Sequence, residues 1–209
     1  MLPTYFPLFL SAAFLLAITP GPGIFYVMTR SLKGGRGEGI ASALGTAVGG
    51  MGHVLAAALG LSVVLATSVV AFNLVRYVGA AYLVYLGIQA LRRHDSLSLA
   101  QSVVATGVQR AFLQGIVVEV LNPKTALFFL AFIPQFIDPK GILFAQFLLL
   151  GVIVVILNTS IDFLVALLAG PLGERLQSSQ RLQTSQRLVT GTGLIALGGY
   201  VALTGNHRG

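Results

Sequence analysis

The sequence predicts an all-α integral membrane protein with six transmembrane helices. Only 9% of its 209 residues are charged and 56% are hydrophobic, whereas soluble domains carry about 25% charged residues. Four windows, each long enough for a span of roughly 20 residues, contain no Asp, Glu, Lys or Arg. These windows are residues 1–29, 39–75, 141–161 and 188–206. Backbone groups inside lipid must bond within their own segment, so the spans are expected to be helices.

Hydropathy and charge divide the chain into six spans and five connections. The spans are expected at about 6–28, 41–66, 69–91, 111–133, 142–169 and 188–204. The connections are then 29–40, 67–68, 92–110, 134–141 and 170–187. Because the second connection is so short, spans two and three are expected to form a tight hairpin. The polar third and fifth connections are expected to be flexible loops. The first apolar stretch has no basic region before it, so it is predicted to be a retained span and not a cleaved signal peptide.

The net charge of +7 follows the membrane topology and does not indicate nucleic-acid binding. Nine basic residues lie in the odd-numbered connections and three lie on the other side. Because basic loops stay in the cytoplasm, the odd connections are predicted to be cytoplasmic and both termini to lie outside. The nine are Arg30, Lys33, Arg36, Arg92, Arg93, Arg110, Arg175, Arg181 and Arg187, against Arg76, Lys140 and Arg208.

The chain is predicted to be a single domain, residues 1–209, built from two half-repeats at about 1–100 and 105–209. Each half holds three spans, so the halves would be inverted relative to each other. A shift of 103 positions aligns Pro20 with Pro123 and Thr19 with Asn122. Proline-interrupted spans at corresponding places in two inverted halves are the best sequence indication of a transporter site.

The first interruption is the segment Thr19-Pro20-Gly21-Pro22-Gly23 near the middle of span one. Each proline lacks a donor and displaces the carbonyl four residues earlier, which frees the carbonyls of Leu16 and Ile18. Freed carbonyls can accept from an ammonium group, and the N-terminus of the resumed helix can donate to a carboxylate. That pair suits a zwitterionic amino acid, although a kink that only shapes helix packing is the alternative.

The second interruption, in span four, contains Asn122-Pro123-Lys124-Thr125. Asn122 can cap the resumed helix, and an ionisable residue such as Lys124 inside a membrane indicates function. Lys124 would meet a substrate carboxylate, or else form a fixed ion pair with Glu119 or Asp162. Glu119 lies about 10 Å from the bilayer centre by helix rise. It is therefore either a coupling group or a partly solvated residue at the cytoplasmic mouth.

Two further polar residues inside spans are candidates for moving protons. Asp162 lies in an apolar run and is expected to carry a coupling proton, unless it only pairs with Lys124. His53 could relay protons, but a lone histidine in a helix more often packs. Small residues also recur along span two and predict close helix packing. They are Gly45, Gly49, Gly52, Ala56 and Gly60.

Other chemistries lack the residues that they need. The chain has no cysteine, which removes disulfides and thiolate metal sites, and its sequence has no metal-ligand cluster. The glycines between Gly34 and Gly39 do not follow a strand and lack a Lys-Ser/Thr ending, so a nucleotide site is not expected. No nucleophile elbow is present, and no catalytic residue, metal or cofactor is predicted.

Several motifs together resemble the LysE/RhtB family of amino-acid exporters. They are Thr19-Pro20-Gly21-Pro22, Gly79 to Gly87, Leu121-Asn122-Pro123-Lys124-Thr125 and Pro134-Gln135-Phe136, within a resemblance from about residue 10 to 200. The resemblance implies six helices, a place in the bacterial inner membrane and export driven by the proton gradient. Many members carry Asp or Asn at the position of Gly23 and Asp at that of Gly50, which disfavours lysine or arginine as substrate. Gly23, His53 and Asp162 are similar to the homoserine/threonine-exporting branch.

We therefore expect a proton-coupled exporter of small neutral amino acids, homoserine- or threonine-like, whose partners are its substrate, protons and the lipid bilayer. The expected substrate-binding residues are Thr19, Pro20, Gly21, Pro22, Gly23, Asn122, Pro123, Lys124 and Thr125. The expected proton-coupling residues are Asp162, Glu119 and His53. The alternatives are export of another cargo such as a metal cation or a basic amino acid, a membrane-integral enzyme, or a helical scaffold. A homo-oligomer is compatible with the sequence and is left open.

Overall fold

The computed structural model describes residues 6–67, 105–138 and 141–178, together with individual helical positions between 70 and 92 and between 184 and 202. Within these residues the regular structure is helical and contains no strand. Two helices, Pro22–Gly60 and Leu143–Ala169, are long and apolar enough to cross a membrane, and a bent pair of helices would make a third span. The predicted spans at 69–91 and 188–204 lie largely outside the described residues. The six-helix count, the hairpin at 67–68, the inverted repeat and the orientation therefore stay predictions.

The first predicted interruption is present. Helix α1 is Phe6–Ile18 and helix α2 is Pro22–Thr67. Pro20 has no N–H to continue α1, while Pro22 occupies the first position of α2, where a missing N–H costs nothing. The chain therefore leaves one helix and starts another within three residues.

The predicted connection at 29–40 is present as a sharp break at Gly35, because α2 consists of two helices that meet there. Only Gly35 departs from helical geometry, with φ 77° and ψ −180°, a conformation that favours glycine. Arg30 and Glu38 are both buried in this segment. A Cβ on Gly23 would lie 3.9 Å from Thr46 Cγ2, whereas 23 residues of unbroken helix rise by about 35 Å. The two halves of α2 therefore fold back against each other, and the Arg30–Glu38 pair lies at their junction.

The second predicted interruption is also present. Helix α3, Val108–Val120, is followed by helix α4, Pro123–Ala131, and the bend between the two helical segments is 48°. As predicted, Asn122 caps α4, and its side chain accepts from the backbone N–H of Lys124 at 3.1 Å. A 3-10 helix, Ile133–Phe136, follows.

Helix α5, Leu143–Ser178, extends beyond the predicted span at 142–169. Its apolar part ends near Ala169, so the first part of the predicted loop at 170–187 is helical instead. Polarity marked the end of the apolar segment correctly, but it did not mark the end of the helix. Glu, Arg, Leu and Gln are good helix formers and allow it to continue.

Two contacts bring the interruptions together. An aromatic core joins α1 to α4 and the 3-10 helix, with the ring of Phe9 5.4 Å from that of Phe136 and the ring of Phe128 4.6 Å from that of Phe132. The predicted small-residue contact joins α2 to α3, because a Cβ on Gly49 would lie 2.7 Å from the carbonyl oxygen of Ile116. Gly60, at the far end of the stripe, has no atom of the described residues within 4 Å of such a Cβ. The close packing is therefore confined to the part of α2 that faces α3.

Candidate functional site

A small polar cavity lies where the two interrupted segments meet α2 and α5. Its volume is about 20 Å³, which is room for about one water molecule and much too little for an amino acid. All five helices contribute to its lining. The lining residues are Ala17, Gly23, Ile24, Thr46, Ala47, Gly50, Glu119, Asn122, Lys124, Thr125, Val155, Asn158, Thr159 and Asp162.

Lys124 joins the second interruption to the first. Its Nζ donates to the carbonyl oxygens of Thr19 at 2.8 Å and Leu16 at 3.1 Å. The C-terminal end of α1 thus receives a cation, which its helix dipole favours. Gly21 allows this approach, since a Cβ there would lie 3.1 Å from Nζ. The carbonyl freed at Leu16, expected to hold a substrate ammonium, holds the ammonium of the protein's own lysine.

Glu119 is buried in the same place and is not a partly solvated residue at the mouth. Only 6% of it is exposed. Its Oε2 accepts from Asn122 Nδ2 at 3.0 Å, and its Oε1 accepts from the Thr125 hydroxyl at 2.6 Å. A Cβ on Gly23 would lie 3.0 Å from Oε2, so glycine leaves room for this carboxylate. Two donors hold Glu119 in one orientation.

Asp162 reaches the cavity from α5 and is 5% exposed. Within the described part of the chain its hydrogen bond comes from the Thr46 hydroxyl, which donates to Oδ2 at 2.9 Å. Asp162 is therefore held by one side-chain donor, whereas Glu119 is held by two. Among the charged groups of the lining, Asp162 is the carboxylate with more capacity to accept a further donor.

His53 lies beside the cavity and not in its lining. Its Nε2 lies 2.8 Å from the backbone carbonyl oxygen of Glu119, and because a carbonyl only accepts, Nε2 carries the hydrogen. The ring is also stacked on that of Phe129, with centroids 6.1 Å apart. These contacts fit a residue that positions the end of α3.

The structure brings half of the predicted site residues into the lining. Gly23, Asn122, Lys124, Thr125, Glu119 and Asp162 line the cavity, whereas Thr19, Pro20, Gly21, Pro22, Pro123 and His53 surround it. Thr19 contributes its carbonyl to Lys124, while its hydroxyl donates to Leu15 O at 2.5 Å. The prolines shape the two breaks and expose the ends of the helices.

Several lining residues were not among the site residues predicted from the sequence. Thr46, Ile24, Ala47, Val155, Asn158 and Thr159 belong to this group. On α5 a signal was present, because positions 155, 158, 159 and 162 have the spacing of one helix face. Thr46 and Gly50 share a face of α2 in the same way. Among the described residues, no three His, Cys, Asp or Glu side chains are grouped as a metal site requires.

A second set of buried polar residues lies outside this lining, between α2 and the start of α3. We call it the Arg30–Glu38 cluster. Arg30 donates to Thr106 Oγ1 at 2.8 Å and to Gln114 Oε1, and its Nη1 lies 3.6 Å from Glu38 Oε2. Glu38 Oε1 accepts from the backbone N–H groups of Thr106 at 2.9 Å and Gly107 at 2.6 Å. The cluster fixes the bend at Gly35 against the N-terminus of α3.

Comparisons with known proteins agree with this architecture. Residues 14–205 match the family model of the LysE type translocator. A Vibrio cholerae protein named only as an uncharacterized membrane protein is 31% identical over 81% of this chain and 83% of its own length. The homoserine/homoserine lactone efflux protein of Salmonella typhimurium is 34% identical over 72% of this chain and 73% of its own. The leucine efflux protein of Salmonella choleraesuis is 32% identical over 62% of each chain.

No solved structure matches the chain. The family assignment therefore comes from the sequence comparisons, and the match covers both interruptions and every helix that lines the cavity. The chain belongs to the LysE type translocator family, and the protein is a membrane transporter and not an enzyme.

Proposed function

We propose that this protein exports small neutral amino acids of the homoserine or threonine type across the bacterial inner membrane in exchange for protons. The observation that carries the proposal is the cavity at the two helix breaks. It combines a helix N-terminus with two buried carboxyl groups and one ammonium group. The carboxylate of a zwitterion complements the helix N-terminus and the ammonium group, and its ammonium complements the carboxyl groups.

The substrate carboxylate would bind at the start of α2. The N–H groups of the first turn of a helix have no partner within that helix, and Gly23 and Ile24 of this turn line the cavity. The helix dipole favours an anion there, and Lys124 adds a positive charge in the same lining. Gly23 allows a ligand to approach the backbone, because it has no side chain.

The substrate ammonium would bind Asp162. Glu119 already accepts from Asn122 and Thr125, whereas Asp162 accepts from Thr46 alone among the described residues. A charged acceptor inside an apolar bundle attracts a cation strongly, because little water screens the pair. Glu119 then serves as a second, fixed negative charge, which Asn122 and Thr125 of the second interruption hold in place.

Competition between a proton and the substrate ammonium for Asp162 would account for the exchange of amino acid for proton. A proton and a substrate ammonium cannot both bind the same carboxylate oxygens. Proton entry from outside would release the amino acid, and proton release inside would restore the site. With Asp162 and Glu119 ionised and Lys124 charged, the three groups carry a net charge of −1, and one proton brings the sum to zero.

The small size of the cavity supports a transport cycle in which this structure is a closed state. A volume of about 20 Å³ holds about one water molecule, so a substrate requires the helices to separate. The short segments between α1 and α2 and between α3 and α4 are the natural points of movement, since helix ends there are free of the continuous hydrogen-bond ladder. Thr19, Pro20, Gly21, Pro22 and Pro123 would act as these hinges.

The names of the relatives support the cargo class. The Salmonella proteins are named for efflux of homoserine, homoserine lactone and leucine, all of which have neutral side chains. The absence of a carboxylate at Gly23 and Gly50 fits such a cargo, because a basic side chain would need an additional anion. We also keep the predicted orientation, with basic connections in the cytoplasm. Since the chain has no cysteine, single introduced cysteines would report the side of each connection directly.

The test is transport in proteoliposomes under an imposed proton gradient. Labelled homoserine, threonine, serine, leucine and lysine would be followed with the wild type, Asp162→Asn and a matched control, Asp138→Asn. Asp138 is an exposed carboxylate outside the lining. We expect wild type and control to move neutral amino acids against a gradient and to leave lysine in place.

Asp162→Asn should lose gradient-driven movement by about 100-fold, since an amide neither binds a proton at neutral pH nor pairs with an ammonium. Proton-driven transport that survives in this variant would remove Asp162 from the mechanism. Failure of folded wild-type protein to move any amino acid would contradict the proposed cargo.

A further inference from the structure

We propose that Gly50 on α2 and Val155 on α5 set the maximum length of the side chain that the transporter accepts. This inference rests on the proposed function, because it concerns which neutral amino acids fit that cavity. It assigns the substrate side chain to an apolar end of the lining, about two helical turns from Asp162 along α5.

The contacts between α2 and α5 establish the order of residues along the cavity. Thr46 bonds Asp162 at 2.9 Å. A Cβ on Gly50 would lie 3.2 Å from Val155 Cγ2, and a Cβ on Gly151 would lie 2.8 Å from Val54 Cγ1. Positions 46, 50 and 54 therefore face positions 162, 155 and 151, so the two helices run antiparallel in this region.

Polarity changes along these three levels. The first level, Thr46 and Asp162, carries the carboxylate, and the second consists of Gly50 and Val155. The third level, Val54 and Gly151, is closed core. Val54 is 0% exposed and Phe129, which also lies against Gly151, is 2% exposed. A side chain that extends from the carboxylate level thus meets Val155 first and the closed core next.

The spacing of the levels limits the length of the side chain. Four residues of helix rise by about 6 Å, which is the separation of Thr46 from Gly50 along α2. Along α5, Val155 lies seven residues, or about 10 Å, from Asp162, so an amino acid with its ammonium on Asp162 would reach Val155 with a side chain of a few carbon atoms. Asn158 and Thr159 line the cavity between the two ends, where a substrate hydroxyl can bond.

The lining chemistry at the second level is apolar. Ala47, Gly50 and Val155 present methyl groups or bare backbone, so the free end of an aliphatic side chain can be buried there. Val155 is 8% exposed and contacts the position where a Gly50 side chain would begin. Removing atoms at 155 therefore lengthens the cavity, and adding an atom at 50 shortens it.

The test compares Val155→Ala, Gly50→Ala and a matched control, Ile156→Ala, in the same proteoliposomes. Ile156 is 58% exposed on the other side of α5. Uptake would be measured for serine, homoserine, threonine, valine, leucine and phenylalanine, and kcat/KM would be compared between long and short side chains. Thermal unfolding of each purified variant would show whether it is folded.

We expect Val155→Ala to raise the ratio of kcat/KM for leucine to that for serine by about 10-fold, since one or two methylene groups in an apolar pocket are worth about that factor. Gly50→Ala should lower the same ratio, and the double variant should return it toward the wild-type value. Ile156→Ala should leave it unchanged. The double variant keeps the inference testable if Gly50→Ala alone unfolds.

Two other outcomes separate the inference from the function beneath it. If wild type moves amino acids and folded Val155→Ala keeps the wild-type ratio, size is set elsewhere and the inference is wrong. If wild type moves no amino acid, the proposed function fails first and the inference fails with it.

Discussion

The cavity and the Arg30–Glu38 cluster are both buried and both charged, yet they are built for different tasks. In the cluster, one cation faces one anion, and Glu38 Oε1 accepts from two backbone N–H groups. In the cavity, two carboxyl groups share one ammonium group around a space that can hold about one water. Balanced charge in the cluster fixes a helix bend, whereas unbalanced charge in the cavity leaves capacity to bind a proton or an ammonium.

The comparison shows that burial of a charge in this protein does not by itself identify the transport site. Arg30 is 6% exposed and Lys124 is 8% exposed, but only Lys124 joins the two interrupted segments. A transport site is distinguished by a charged group that lines an open space and whose charge is not balanced by its partners. Four substitutions test that distinction, in order of decreasing expected effect.

Lys124→Met should have the largest effect. The substitution removes the cation that bonds the carbonyls of Leu16 and Thr19. It also leaves the buried carboxyl groups of the cavity without their positive charge. A buried charge that loses its partner costs about 4 kcal/mol, so transport should fall by about 1000-fold. Lys33→Met makes the same change at an exposed position of α2 and should retain transport. Active Lys124→Met would show that the lysine is dispensable for joining the two segments.

Glu38→Gln should lower stability without altering substrate preference. The amide keeps an oxygen for the Thr106 and Gly107 N–H groups but leaves Arg30 without its counter-charge, at a cost of about 3 kcal/mol. The measurement is thermal unfolding in detergent, together with the leucine-to-serine transport ratio. The double variant Arg30→Met with Glu38→Gln should be more stable than Glu38→Gln, because it removes both charges. A change in the transport ratio would mean that the cluster is coupled to the cavity.

Gly23→Ala should weaken substrate binding. The new Cβ would lie 3.0 Å from Glu119 Oε2 and must displace that carboxylate, so KM should rise by about 10-fold, or about 1.4 kcal/mol. Gly60→Ala is the control, since within the described part of the chain no atom lies within 4 Å of its new Cβ. An unchanged KM in Gly23→Ala would show that the position of Glu119 does not affect substrate binding.

His53→Phe should have the smallest effect. It retains an aromatic ring beside Phe129 and removes the hydrogen bond to Glu119 O, worth about 1 kcal/mol. The maximal rate should fall by about fivefold, with its dependence on pH unchanged. A transport rate that loses its pH dependence in this variant would instead make His53 a proton relay.

Much of the site was predictable from local sequence, because proline acts on its own helix. Pro20 and Pro22 end α1 and start α2 wherever they are packed, and Asn122-Pro123 does the same between α3 and α4. The membrane character and the importance of Lys124, Glu119 and Asp162 followed from the cost of burying charge in apolar segments. Two of the four family motifs lie on these same two interruptions.

The sequence does not show which group a charged side chain bonds, nor how far a helix continues beyond its apolar part. Arg30 and Glu38 fall in the predicted connection at 29–40, yet they are buried and bond each other and residues at the start of α3. Polar residues after Ala169 indicated a loop, but α5 continues to Ser178. The alternative of Glu119 at a wet mouth was wrong because Asn122 and Thr125, from the following turn, bend back onto it.

The sequence by itself therefore determined the membrane class, the two breaks and which ionisable residues lie within apolar segments, since each follows from the chemistry of a short segment. Only the tertiary structure decided that Lys124 bonds the end of α1 and that Thr46 bonds Asp162. It also decided that Gly50 faces Val155. These pairs lie on different helices, and their register depends on how small residues and aromatic rings let the helices pack.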